Sequence, residues 1–394
     1  MNAEPRVEYF ATCPSGAEAI LADEFVRLGF QAVEARRMGV CFTGGETDGW
    51  RACFWSRVAS RVLLPLGEFA ARDAGELYAG AMGIPWEDHL SSLNTFAVEG
   101  VGQSDALRHS GFLALKVKDA IADRMRKAVG RRPNVDKENP DVNVFVRLAE
   151  DRALVALDLA GHGLHVRGWR QRRVEAPLKG NLASAILYAS GYDGRTPLVD
   201  PMCGSGTFAI EAAEIALGLG PGRLATFGFE RWPTLTRMKK RLVADLRQEA
   251  AKGRPVEPPF IAAGDKDREA VAVAKANAER AGVTRAIRFG VKDARQAALP
   301  GRTGMLVTNP PYGERLNIPE EELLDLYAAL GERWRGIGDG RLAVFCGHPQ
   351  FRKAFGLKPA SFVELYNGPI KARLYLYDIG ARWSGEKEST QDDG

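Results

Sequence analysis

From about residue 179 onward, short apolar runs of strand type alternate with helical periodicities, and no other feature constrains the fold as much. Strands separated by helix-length patterns call for a parallel sheet with helices on both faces. The strand candidates are 197–200, 260–265, 287–291, 305–309, 342–346, 362–365 and 373–378. Helical spacing opens the stretch at 179–187 and returns after most strands. The expected fold class is therefore α/β, with a seven-stranded, mostly parallel sheet.

Two of these strands end in turns that carry chemistry. Pro197-Leu-Val-Asp200 runs into Met-Cys-Gly-Ser-Gly206, and a helix over 207–217 begins at once. Glycines allow a sharp turn and close approach of backbone to a ligand, at the strand edge where open α/β sheets bind cofactors. The turn lacks the full GxGxxG spacing, which favours an adenosine ligand smaller than a dinucleotide. An ordinary strand–helix turn is the competing reading. Asp200, Cys203, Gly204, Ser205 and Gly206 are the candidate cofactor residues. Asp265, ending the next strand, offers a carboxylate to a ribose, and Asp267 reads as the N-cap of a helix over 268–281. From Gly206 to Asp265 is a step of 59 residues, against ~20 in dinucleotide folds, so residues 218–259 read as an insertion. Asp293 follows strand 287–291, placed to accept an adenine amino hydrogen or to sit in a surface turn.

The second turn is Asn309-Pro310-Pro311-Tyr312. Consecutive prolines fix the backbone and force Asn309 to be extended. Its side-chain oxygen and the Pro310 carbonyl can then accept from one exocyclic NH2, while Tyr312 offers a face on which a planar base stacks. Asn309 is no base at neutral pH; it orients a lone pair. Asn309, Pro310 and Tyr312 are the candidate catalytic residues, with Asn309 also beside the cofactor. The two turns together, in this order, look like an S-adenosylmethionine-dependent amino-group methyltransferase. No cysteine nucleophile lies in the turn, which argues against methylation of a ring carbon.

Ahead of this sheet, residues 7–48 read as strand, helix, strand, with Ser15–Glu18 as a capping box opening the helix. Residues 49–166 form a second mixed unit, with a helix over 111–129 and strands over 142–148 and 154–159. The polar stretch 384–394 reads as a disordered tail. Five scattered cysteines without a CxxC pair and five dispersed histidines give no disulfide framework and no metal cluster. Apolar runs fall far short of the ~18 residues of a membrane span, and no signal peptide is evident. A cytoplasmic, metal-free monomer is expected.

The net charge of +4 says little, but its distribution says more. Residues 100–180 hold sixteen Lys/Arg against ten Asp/Glu, an excess of six. Two runs concentrate it: Arg124, Arg126, Lys127, Arg131 and Arg132, then Arg167, Arg170, Arg172 and Arg173. A phosphate-backbone footprint and a solvated basic face both fit. On the first reading, RNA is held by Arg124, Lys127, Arg131, Arg132, Arg167, Arg170, Arg172 and Arg173.

The chain resembles the bacterial large-subunit ribosomal RNA guanine-N2 methyltransferases that carry a THUMP domain, the RlmL type. The likeness lies in Trp55-Ser-Arg-Val-Ala-Ser-Arg-Val-Leu-Leu-Pro-Leu-Gly67, Ala114-Leu-Lys-Val-Lys-Asp-Ala-Ile121, Arg132-Pro-Asn-Val-Asp136 and the 157–168 segment. It continues through both turns, and Phe227-Gly-Phe-Glu-Arg-Trp-Pro233 favours the ribosomal branch over the transfer-RNA one. The resemblance implies a ferredoxin-like module (1–48) and a THUMP RNA-binding domain (49–166). A Rossmann-like class I methyltransferase domain (167–383) would follow. It implies S-adenosylmethionine as cofactor, held by Asp200, Gly204 and Gly206, with Asp265 on ribose and Asp293 at adenine. The implied partner is 23S ribosomal RNA or a large-subunit assembly intermediate. Some family members add a guanine-N7 domain that this chain lacks, so only the N2 activity is implied. Three other readings compete: a transfer-RNA N2-guanine enzyme, an adenine-N6 DNA methylase, and a non-enzymatic RNA-binding assembly factor with a relic fold.

Overall fold

A computed structural model describes residues 6–170, 178–299, 304–312 and 318–379. Arg172, Arg173, the stretch 313–317 and the tail 384–394 lie outside these residues. The chain divides into two units: residues 1–13, 21–164 and 220–252 form the first, and 14–20, 165–219 and 253–394 the second.

The first unit is built on one eight-stranded sheet. Its elements are β1 (Val7–Thr12), α1 (Glu18–Arg27), β2 (Gln31–Arg36), β3 (Gly39–Gly44), α2 (Glu46–Trp55), β4 (Arg61–Ala70), α3 (Ala74–Gly83), β5 (Thr95–Val101), α4 (Ser110–Val129), β6 (Asn134–Val135), β7 (Val142–Ala149) and β8 (Arg152–Asp158). The strand order is β2-β3-β1-β4-β8-β7-β5-β6, so residues 7–158 share one continuous sheet. Its core gathers Trp86, Phe96, Leu113, Val117, Ile121 and Met125 beneath α4. The α4 positions recur at helical spacing, as an amphipathic helix on a sheet requires.

One expectation fails at α1. The helix does not start at a Ser15–Glu18 capping box but at Glu18, after a turn in which Ala17 N–H donates to the Pro14 carbonyl (3.0 Å). Gly16 sits at φ +87°, a left-handed conformation that a first helical turn excludes. A Cβ there would also stand 2.2 Å from the Glu364 carbonyl oxygen.

Residues 220–252, read from the sequence as an insertion, cluster with the first unit. Aromatic contact explains this. Phe229 stacks on Trp50 at 5.4 Å, Phe227 meets Phe54 edge-on at 4.8 Å, and the Phe229 and Gly228 amides donate to the carbonyls of Leu159 and Ala160. Gly228 and Gly161 pass so closely that a Cβ on Gly228 would lie 3.1 Å from the Gly161 Cα.

The second unit contains α5 (Gly180–Ala189), β9 (Leu198–Asp200) and α6 (Thr207–Leu217). After α7 (Arg237–Lys252) of the first unit come β10 (Ile261–Asp265), α8 (Arg268–Ala281), β11 (Ile287–Val291), β12 (Gly304–Thr308), α9 (Glu320–Trp334), β13 (Gly340–Cys346), α10 (Phe351–Phe355), β14 (Ser361–Asn367) and β15 (Ile370–Ile379). The seven-stranded sheet runs β11-β10-β9-β12-β13-β15-β14. Its first five strands are parallel and the β15–β14 edge is antiparallel. All five residues of β12 are buried, as a doubly covered strand requires. The expected α/β class and mostly parallel sheet are observed.

Candidate active site

β9 and β12 are neighbours in parallel register, Met305 facing Leu198 and Leu306 facing Val199. Both turns therefore leave the same edge of the sheet from adjacent central strands. The topology brings Asp200, the glycine turn and Asn309 together in this way.

The glycine turn is closed by the protein's own hydrogen bonds. Gly204 and Gly206 adopt φ +49° and +83°, which side chains rarely tolerate. Asp265, one strand over, accepts from Gly204 N–H (3.0 Å) through one carboxylate oxygen and from Asp267 N–H (3.0 Å) through the other. Asp267 caps α8 as its position suggested, accepting from Glu269 N–H. Asp200 is fully buried and accepts from Met202 N–H at 3.3 Å. Burial pushes its carboxyl well above the usual carboxylate range, and the nearby Asp265 charge adds to the shift. Burial likewise raises the Cys203 thiol, so it stays protonated and is no nucleophile.

Behind the turn stands a bracket that local sequence reading missed. Asn277, wholly buried on α8, donates to the Ser205 carbonyl (3.0 Å). Arg280 bonds Asn277 and also donates to the Trp169 carbonyl (2.7 Å). Arg170 donates to Thr207 Oγ1 (2.6 Å) and to the Leu178 carbonyl (3.0 Å). Arg167, 3% exposed, pairs with the buried Glu211 at 2.8 Å, and Ser184 donates to the same carboxylate. The one signal in the sequence was an asparagine among Val271, Ala274 and Ala278 on the buried stripe of α8.

These contacts correct part of the RNA footprint. Arg167 is buried and ion-paired, and Arg170 is spent on the start of α6, so neither presents its charge to a phosphate. Arg124 is bound to Glu87 by two hydrogen bonds. Lys127, Arg131 and Arg132 are exposed.

Asp293 is held differently from Asp265. Arg295 chelates it through two guanidinium nitrogens and its own backbone N–H, and these bonds lower the carboxyl to about 2. It stays an anion, with lone pairs left for a further donor.

The Asn-Pro-Pro-Tyr turn is held by hydrogen bonds from Tyr327 and Asn367. Tyr327 donates to the Pro311 carbonyl (2.6 Å), and Asn367 Nδ2 donates to the Tyr312 hydroxyl (3.1 Å). The Tyr312 ring meets Phe345 edge-on at 6.4 Å. Gly347 makes room for it: a Cβ there would stand 2.8 Å from the ring. Asn309 Oδ1 is buried and accepts no hydrogen bond from any described residue. An orphaned buried acceptor costs about 1–3 kcal/mol, so this oxygen is suited to a donor that arrives with a ligand.

The residues also fit a nucleoside cofactor. A Cβ on Gly204 would meet nothing within 4 Å, so the turn opens onto free space, with carboxylates at the ends of β9 and β10 beside it. Among the described residues no group of His, Cys, Asp and Glu could hold a metal ion, and no helix is long and apolar enough to cross a membrane.

Comparison with known proteins agrees with this layout. The family described as "RMKL-like, methyltransferase domain" matches residues 167–375, the RlmL ferredoxin-like domain matches 8–63 and the THUMP domain matches 71–158. "Ribosomal RNA large subunit methyltransferase K/L" of Syntrophotalea carbinolica is 41% identical over 384 residues, covering 95% of this chain and 54% of that protein. The chain spans about half the length of the curated relatives it matches. Among solved structures, one described as "SMU.472, a putative methyltransferase complexed with SAH" is 29% identical with a TM-score of 0.86, covering 96% of this chain and 99% of that one. A structure from Listeria monocytogenes described as a "predicted N6-adenine-specific DNA methylase" is 31% identical with a TM-score of 0.84, covering 95% and 97%. The chain belongs to the RMKL-like methyltransferase family, with an RlmL ferredoxin-like domain and a THUMP domain ahead of its methyltransferase domain.

Proposed function

We propose that this protein transfers a methyl group from S-adenosylmethionine to the exocyclic N2 of a guanosine in 23S ribosomal RNA. The observation that carries the reading is the buried Asn309 oxygen, which accepts from no described residue, at the sheet edge shared with the glycine turn. The ribosomal RNA named for the Syntrophotalea relative and the SAH named for SMU.472 support the substrate and cofactor.

Asp200, Cys203, Gly204, Ser205 and Gly206 would hold the cofactor's amino-acid end, Asp265 its ribose and Asp293 its adenine amino group. The bound cofactor supplies an electrophilic methyl. The chain supplies position and electrostatics. Asn309 Oδ1 and the Pro310 carbonyl take the two amine hydrogens, so the nitrogen lone pair points along one line, and Tyr312 stacks on the base. Fixed acceptors at a nitrogen that gains positive charge lower the barrier without reorganising. Lys127, Arg131 and Arg132 keep their proposed place as phosphate contacts, since they are exposed.

A second reading, methylation of adenine N6 in DNA, takes support from the Listeria structure, described as a predicted adenine-specific DNA methylase, and from the same turn. One experiment separates the readings. Purified protein is incubated with isotope-labelled methyl donor and, in turn, ribosomal RNA, transfer RNA and DNA, followed by nucleoside mass spectrometry. N2-methylguanosine from ribosomal RNA is the expected product. N6-methyladenine, or N2-methylguanosine from transfer RNA alone, would overturn the proposal, as would no transfer to any acceptor.

A further inference from the structure

Helix α7 takes no part in the proposed methyl transfer, yet among the described helices it carries the largest basic excess. Its sixteen residues hold six basic and two acidic side chains, an excess of four that equals the excess of the whole chain. Val243 and Ala250 turn inward. Two cations are used within the first unit: Lys239 pairs with Glu46 at 2.5 Å, and Arg247 bonds Glu230 and the Ala225 carbonyl.

Arg237, Lys240 and Arg241 are exposed and form no ion pair with any described residue. At spacings of three and four they share one helix face. Met238, 73% exposed, and Leu242, 40% exposed, run beside them. This differs from α4, where Lys118, Arg124 and Arg126 are each answered by Asp119, Glu87 and Asp123. The first turn of α7 contains no acidic residue, so its cations oppose the helix dipole instead of complementing it. Fold stability does not account for them. Lys240 also lines a cleft of about 530 Å³ with Leu235, Val243, Gln248, Arg223 and the Arg247–Glu230 pair. Exposed cations beside apolar and amide groups match the phosphates and bases of a nucleic acid better than an acidic peptide.

We propose that the exposed face of α7, through Arg237, Lys240 and Arg241, is a docking surface for the phosphate backbone of the RNA substrate. It rests on the reading that the protein acts on RNA, and it adds a footprint on residues 237–241 to the one on Lys127, Arg131 and Arg132.

The test uses the full chain and a fluorescent 23S ribosomal RNA transcript, with affinity measured across a salt series. Replacing Arg237, Lys240 and Arg241 by Ala should reduce the slope of log K against log salt by roughly 2–3, at about 0.7–0.9 per lost phosphate contact. Cofactor affinity and melting temperature should stay at wild-type values. Arg237→Lys with Arg241→Lys should keep the wild-type slope, because phosphate contact needs the charge more than the guanidinium shape. An unchanged slope in the triple-alanine variant, with the wild type binding RNA, overturns the α7 surface alone and leaves that face to a protein partner. A wild-type chain that binds no RNA at any salt overturns the reading beneath it as well.

Discussion

The two turns at the edge of the second sheet are held in opposite ways. The glycine turn after β9 is bonded on three sides: by Asp265 to Gly204, by Asn277 to the Ser205 carbonyl and by Arg170 to Thr207. The turn after β12 is braced by Tyr327 and Asn367, while its Asn309 oxygen is buried and accepts from no described residue. The first is a preformed cradle whose geometry the protein fixes before any ligand arrives. The second carries an unmet acceptor, a cost in the folded state that a substrate amine would relieve. Substitutions in the two turns should therefore separate stability from turnover.

The largest effect is expected at Asn309. Asn309→Ala should lower kcat by about 10²–10³-fold, the scale for losing one preorganised hydrogen-bonding group. Because the lost oxygen accepts from no described residue, melting temperature should not fall and cofactor affinity should hold, as calorimetry with the methyl donor would read. Near-normal turnover would remove Asn309 from the reaction. Tyr312 sharpens the point: Tyr312→Ala gives up base stacking, about 1–3 kcal/mol, whereas Tyr312→Phe loses only the hydroxyl that accepts from Asn367 and should retain most activity.

Asp265 should behave in the other way. Its carboxylate is both the proposed ribose acceptor and a fastener of the turn, taking the Gly204 and Asp267 amides. Asp265→Ala should weaken cofactor binding by about 1.5–3 kcal/mol, roughly ten- to a hundredfold, and lower the melting temperature together with it. Asp267→Ala, which removes only the α8 cap, should cost stability without the matching loss of affinity. Equal losses of affinity in both variants would mean that the turn, and not the carboxylate, binds the ribose.

The same contrast explains what was legible in the sequence. The strands of the second sheet were readable to within a few residues, because a doubly covered strand must be apolar along its length. The turns were readable because glycine pairs and proline pairs restrict backbone locally. Long-range closure was not. Nothing in Arg167 and Arg170 marks them as partners of Glu211 and Thr207, since a basic run looks the same whether it faces phosphate or a group brought up by the fold. The same blindness hid the alliance of Phe227 and Phe229 with Phe54 and Trp50, residues more than a hundred positions away. Gly16 misled in a different manner: serine and glutamate at the right spacing suggested a capping box, but the glycine between them takes a conformation that the helix cannot use.

The smallest effect expected is a pH dependence at Asp200. Its buried carboxyl titrates above the usual aspartate range, mainly through desolvation, with Asp265 adding repulsion. The folded state thus holds a proton that the unfolded chain, with an aspartate of about 3.9, has already released. Stability from this group is greatest below about pH 4 and falls as pH rises towards its folded value, by at most about 1.4 kcal/mol per pH unit. Asp200→Asn keeps the shape without the titration. Thermal melts of the ligand-free variant from pH 5 upward should follow a flatter course than the wild type and sit above it at neutral pH. A variant whose melting temperature tracks the wild type at every pH would mean that Asp200 ionises in the folded protein as freely as in water, and that burial imposes no proton on it.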